Sequence, residues 1–181
     1  PASAPGDMLS ALTPKLRFDR PYAHNPVRMV VVGLGMGKNR CAQIRDTNGI
    51  ELYGVCDINE ERLKFMGEKY GVTRLYTDEA TMLKELPEIE AVSVCTWNSA
   101  HASCSIKALN AGKHVLCEKP VTLSSKDLQE MIDASVAAGK LFTVHQNRRW
   151  DGEFLVMRDI YNSGELGPVH HIESRCHGSR G

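Results

Sequence analysis

The run Met29-Val-Val-Val-Gly33-Leu-Gly35-Met36-Gly37, with Asp57 twenty positions after Gly37, constrains this chain more than any other feature. An apolar strand leads into a glycine turn and the start of a helix. A second strand, Glu51-Leu-Tyr-Gly-Val-Cys56, then ends on the acid. That is the order a dinucleotide site needs. The first glycine permits a tight turn, and the second lets the backbone approach a pyrophosphate. The helix N-terminus offers unpaired N–H groups to the anion, and the acid accepts a hydrogen bond from a ribose hydroxyl. Gly33, Gly35, Met36, Gly37 and Asp57 are therefore candidate cofactor contacts. The pattern departs from G-x-G-x-x-G at its third glycine, where Lys38 stands. A glycine-rich turn alone is weak evidence, and the strand, helix and acid around it give it weight.

A chain of 181 residues can bury one good core, or one domain and part of another. Acidic and basic residues balance at 22 each, which points away from a nucleic-acid partner. Cys41, Cys56, Cys95, Cys104, Cys117 and Cys176 are scattered, with no C-x-x-C pair and no metal-ligand spacing. Reduced thiols packed as small hydrophobes in a cytoplasmic protein are the expectation, rather than a disulfide framework. No apolar run approaches membrane-spanning length. Residues 1–26 hold five of the eight prolines and little periodicity, so they read as an arm. The arm lacks a basic start followed by an apolar stretch, so it is not an intact signal peptide. The chain begins without methionine, which leaves an earlier cleavage open.

Past the arm, strand-like and helix-like segments alternate. Val27–Val32 reads as the first strand and about Gly37–Thr47 as the first helix. After Glu51–Cys56, Asn59 is placed to cap a helix with Leu63, Met66 and Tyr70 on one face, stopped by Gly71. Thr77 and Asp78 open a short helix that ends before Pro87. Ala91–Thr96 is a strand, Ala100–Ala111 a helix closed by Gly112, and His114–Glu118 a strand. Ser124-Ser-Lys-Asp127 is an N-terminal capping pattern, followed by an apolar stripe of Leu128, Met131, Ile132 and Val136, with Gly139 ending the helix. Leu141–His145 is a further strand. This alternation implies parallel pairing and right-handed crossovers, hence a doubly wound α/β sheet. Ligands of such sheets lie at the carboxyl ends of the strands.

Chemistry is therefore expected from five sets of strand-end residues. They are the glycine turn, Asp57, Thr96-Trp97-Asn98 with His101 one turn on, Glu118-Lys119-Pro120, and Gln146-Asn147-Arg148-Arg149-Trp150. Lys119 is the candidate catalytic residue, because an ammonium in the crevice can stabilise a developing alkoxide or exchange a proton with it. The competing reading is a solvated surface lysine. His101 is open between a ligand contact and a structural hydrogen-bonder. Trp97 is expected to pack partly buried rather than stack on a cofactor. Arg148 and Arg149 are expected to solvate a helix start rather than hold an anion.

Ala111-Gly-Lys-His-Val-Leu-Cys-Glu118-Lys119-Pro120 resembles the G-K-H-V-x-x-E-K-P segment of the Gfo/Idh/MocA family, the glucose–fructose oxidoreductase and inositol dehydrogenase group. Thr96-Trp-Asn-Ser-Ala-His101 resembles that family's T-P-N-x-x-H turn, with Trp97 in place of the proline. The glycine turn, Gly54-Val-Cys-Asp57 and His145-Gln-Asn-Arg-Arg149 fit in order and spacing, so the resemblance runs from about residue 27 to 181. It implies a Rossmann cofactor domain over 27–149 and an oxidoreductase acting on a small sugar or cyclitol-like substrate. It also implies a homo-oligomer in the full-length form, with no nucleic-acid or membrane partner. By matching position, Gly33, Gly35 and Gly37 would hold the pyrophosphate and Asp57 the adenine ribose. Thr96, Asn98 and His101 would line the cleft, Glu118 would meet the nicotinamide end, Lys119 would be the catalytic lysine, and Pro120 would follow a cis peptide. Lys38 puts the close helix–strand contact in question. Asp57 followed by Ile58 favours NAD, since a carboxylate repels a 2′-phosphate, while Arg62 leaves NADP open.

The resemblance further implies a second, α+β domain, of which only the start is expected here. Residues 150–163 read as a linking helix and Gly167–Arg175 as a first strand. The family's aspartate and histidine beside the lysine would fall later, and His170, His171 and His177 come too early to replace them. A fragment that binds cofactor with little turnover is expected. The alternative is a non-catalytic nucleotide-binding or interaction module.

Overall fold

The computed structural model describes residues 25–175; most of the proline-rich arm, Cys176 and His177 lie outside the described residues. Those residues divide into two compact units, the division falling between Gln146 and Asn147. The larger unit is a six-stranded sheet built from β1 (Val27–Val32), β2 (Ile50–Cys56), β3 (Leu75–Tyr76), β4 (Ala91–Val94), β5 (His114–Cys117) and β6 (Phe142–Val144). The strand order is β3-β2-β1-β4-β5-β6, and every pairing is parallel. The connecting helices are α1 (Leu34–Arg45), α2 (Glu60–Tyr70), α3 (Glu79–Glu85), α4 (His101–Asn110) and α5 (Ser125–Ala138).

Alternation along β1 divides the core. Val31 packs with Leu34, Cys41 and Ile44 of α1 and with Leu63 and Met66 of α2. Val30 and Val32 face the other way, onto Met82, Leu83, Cys104, Ala108, Leu109 and Met131 of α3, α4 and α5. One strand thus feeds two apolar layers, which is why β1 reads as an unbroken apolar run rather than an alternating one. Cys41, Cys56, Cys95, Cys104 and Cys117 are free thiols inside these layers. Burial pushes Cys41, Cys56 and Cys104 up to about 12 and Cys117 to about 11, so they pack as neutral hydrophobes.

The caps sit where the sequence places them. Asn59, Asp78 and Ser124 accept from the backbone N–H groups of Arg62, Thr81 and Asp127, and Gly71 and Gly139 adopt left-handed conformations after α2 and α5. Four points differ from the sequence reading. The first helix begins at Leu34, not Gly37, because the whole glycine segment after Gly33 is already helical. The two-residue β3 is too short to carry a periodic signal. In α5 only Met131 of the expected stripe is buried, and Val136 is 75% exposed. That helix packs on α4 at the β6 edge, where the sheet ends, so a narrow line of it meets the core.

In the smaller unit, a 3-10 turn at Asn147–Trp150 precedes α6 (Gly152–Ser163), the expected linking helix. Residues 168–175 form no strand, the fourth difference. A strand exists only through a partner, and among the described residues none pairs with this segment.

Candidate active site

The sheet reverses its strand order between β1 and β4, and the residues leaving the carboxyl ends of β1, β2, β4, β5 and β6 surround that point. Gly33 leaves β1 with φ 89°, a conformation that disfavours side chains, and donates its N–H to the Cys56 carbonyl at 2.8 Å. A Cβ on it would stand 2.6 Å from the Cys95 carbonyl oxygen. On Gly37 a Cβ would meet Val31 Cγ1 at 2.8 Å and Cys95 Cβ at 3.3 Å. The close helix–strand contact is therefore made at Gly37, and Lys38 projects outward from the next position, exposed. The substitution of the third glycine leaves that contact intact. Gly35 has space above it, its nearest neighbour being Arg62 Nη1 at 4.0 Å. The first turn of α1 carries no acid of its own, Gly33 has no side chain to cap it, Asp57 takes only the Leu34 N–H, and Met36 is exposed beside it. A helix start so left, with an open glycine over it, is a cradle for a pyrophosphate, and the residues fit a dinucleotide.

Asp57 is buried and holds this turn together. Its Oδ2 accepts from Leu34 N at 2.6 Å and from Arg62 Nη1 at 3.0 Å, while Oδ1 accepts from Asn59 N at 2.9 Å. An ionised carboxylate has about four acceptor positions, so capacity remains for a ribose hydroxyl.

At the end of β4, Thr96 is half-buried and Trp97 and Asn98 are exposed, leading through a 3-10 turn at Asn98–Ala100 into α4. Trp97 is 84% exposed, which corrects the partly buried packing expected of it: the residue stands beyond the last core position of its strand. His101 is 1% exposed, with Nδ1 2.8 Å from the Pro120 carbonyl and Nε2 3.1 Å from the Thr96 carbonyl. That is the geometry of a structural hydrogen-bonder. It ties the end of β4 to the segment after β5.

Glu118 follows β5, with Lys119 exposed beside it and a cis peptide between Lys119 and Pro120. Among the described residues the Lys119 ammonium has no ion-pair partner. Glu118, by contrast, is held tightly. Its Oε1 accepts from Arg40 Nη2 at 2.6 Å and lies 2.9 Å from His145 Nδ1, and its Oε2 accepts from Lys119 N at 3.2 Å. The first four sets thus converge. Gln146 closes β6, and Arg148 pairs with Asp151 at the start of α6 at 3.1 Å, solvating a helix start as expected. Arg40 and His145 are the residues that sequence reasoning overlooks. The available signal was a charge on an apolar stripe, because Arg40 shares the buried face of α1 with Leu34, Gly37, Cys41 and Ile44. Among the described residues no group of three or more His, Cys, Asp and Glu side chains could hold a metal ion. No helix there is long and apolar enough to cross a membrane.

A parallel sheet in this order, with a glycine turn and an acid at its reversal point, defines a dinucleotide-binding Rossmann domain. The chain belongs to the Gfo/Idh/MocA oxidoreductases, whose family model, described as an oxidoreductase family with an NAD-binding Rossmann fold, matches residues 27–146. It is 32% identical over 145 residues to a myo-inositol 2-dehydrogenase of Thermotoga maritima, covering 80% of this chain and 43% of that protein. An inositol 2-dehydrogenase of Salmonella typhimurium is 33% identical over 149 residues, with 80% and 44% covered. Among solved structures, an NAD-binding protein from Listeria innocua superposes with a TM-score of 0.72 at 35% identity, over 79% of this chain and 42% of that one. The chain spans under half the length of the curated relatives it matches.

Proposed function

We propose that this chain is the cofactor-binding half of an NAD(P)-dependent oxidoreductase acting on the secondary hydroxyl of a sugar, cyclitol or related compound. The observation that carries the reading is Lys119, an exposed ammonium without an ion-pair partner among the described residues, at the carboxyl end of β5. The inositol dehydrogenases among the relatives support the substrate class. A bound nicotinamide would accept or return the hydride. The chain's own residues do the rest. The N–H groups opening α1 offset the pyrophosphate charge, and Asp57 accepts from the adenine ribose while locking the turn beneath it. Neutral Lys119 Nζ takes the hydroxyl proton during oxidation, and the ammonium gives it back during reduction. His101 braces both strand ends that carry this chemistry. The Asp57 carboxylate favours NAD over NADP, with Arg62 moderating the discrimination.

In the full-length protein, Lys119→Ala should remove turnover while NADH affinity stays within about twofold, since the lysine acts on the proton rather than on binding. Wild-type turnover in that variant would sink the assignment.

A further inference from the structure

A dinucleotide whose adenine ribose rests on Asp57, at the end of β2, must lie across β1 and β4 and place its other nucleoside toward β5. There stands the cluster of Arg40, Glu118 and His145, joining the second turn of α1 to the ends of β5 and β6. Arg40 is nine-tenths buried. Its Nη2 donates to Glu118 Oε1 at 2.6 Å, and its Nη1 donates to His145 Nε2 at 3.1 Å and to Gln43 Oε1 at 2.7 Å. Arginine can only donate, so His145 Nε2 must be the bare, accepting nitrogen. The proton of a neutral ring then sits on Nδ1, which donates to Glu118 Oε1 at 2.9 Å. Both partners therefore select the same tautomer. With Lys119 N on the other oxygen, the Glu118 carboxylate is fixed at both ends.

We infer that Arg40 and His145 are positioning residues. Together they clamp Glu118, and so hold the Glu118-Lys119 backbone in place at the nicotinamide side of the crevice. The inference rests on the cofactor reading above. It goes beyond that reading by assigning a task to two residues that the glycine turn and the lysine do not need for binding the adenosine half. Buried ion pairs of this kind stabilise little in net terms, and removing one partner leaves an uncompensated charge that must move or recruit water. Loss of Arg40 would release Glu118 and Lys119 without touching Asp57 or the first turn of α1.

The test compares NADH with ADP-ribose, which lacks only the nicotinamide, by calorimetric titration of the wild-type chain and of Arg40→Met and Arg40→Lys. Ring nitrogen NMR shifts of His145 in the ligand-free proteins are the second readout. Wild type should bind both ligands and show His145 protonated on Nδ1. Arg40→Met should weaken NADH about tenfold or more while ADP-ribose changes by less than about twofold. Arg40→Lys should not restore the fixed tautomer, because a point charge lacks the planar fork. Should Arg40→Met fail to fold, His145→Leu removes one donor from Glu118 and should show the same selectivity with a smaller loss. Equal weakening of both ligands, no weakening, or a wild-type His145 protonated on Nε2 would overturn the inference. A folded wild-type chain that binds neither ligand would overturn the cofactor reading and the ligand half of this one. The His145 tautomer would still decide the clamp.

Discussion

Single side chains in this domain answer for more than one task, and Asp57 is the clearest case. A ribose-binding acid could sit loosely in a crevice. Here it is buried, and it pins the backbone of the glycine turn through Leu34 N. Glu79 is the opposite case. It is 6% exposed, neither oxygen has a hydrogen-bond partner among the described residues, and Lys107 Nζ approaches only to 3.7 Å. Desolvation by burial pushes its carboxyl up from 4.5 to about 6. The folded state therefore holds this proton more tightly than the unfolded chain. The resulting stabilisation is fully present below pH 4.5 and is lost as the pH rises through about 6. Above that, the buried charge costs about 1–2 kcal/mol after allowance for Lys107. Glu79→Gln should thus raise unfolding stability at pH 8 by that amount and change it little at pH 4.5, measured by urea denaturation. An unchanged or lowered stability at pH 8 would show that Lys107 already compensates the charge.

At the scale of elements, the β1–turn–α1 unit is the most constrained. Gly37 lets α1 approach β1 and Cys95 closely, so a single methyl there strikes Val31 Cγ1 at 2.8 Å. Gly37→Ala should destabilise the domain by about 1–3 kcal/mol, because relief requires α1 to move off the sheet. A neutral result in thermal unfolding would mean that Val31 rotates away instead. Much of this level was legible. Strand and helix order, the Asn59, Asp78 and Ser124 caps and the stops at Gly71 and Gly139 follow from local chemistry, and local chemistry is present in the sequence. The start of α1 and the burial of α5 were not. The first depends on Gly33 alone making the turn, and the second on where the sheet happens to end.

At the scale of the molecule, legibility tracks distance along the chain. The glycine turn and Asp57 are 20 residues apart and form one βαβ unit, so their spacing announces them. Lys119 is marked by its strand end and its proline. Arg40 and His145 are 105 residues apart, and their contact is a product of the parallel order of β1, β4, β5 and β6. Trp97 and His101 owe their environments to a similar cause. The first lies just past the core, and the second finds two carbonyls from separate strand ends. All of this geometry serves one claim, that a dinucleotide lies across the carboxyl ends of β2, β1, β4 and β5 with its ribose on Asp57. The most direct measurement is calorimetric titration of the wild-type chain and Asp57→Ala with NADH and NADPH, each protein first shown to be folded by circular dichroism. Saturable one-site binding is predicted, tighter for NADH than for NADPH and weakened about tenfold or more for NADH in Asp57→Ala. A folded wild-type chain that binds neither nucleotide, or NADH binding untouched by Asp57→Ala, would contradict the account.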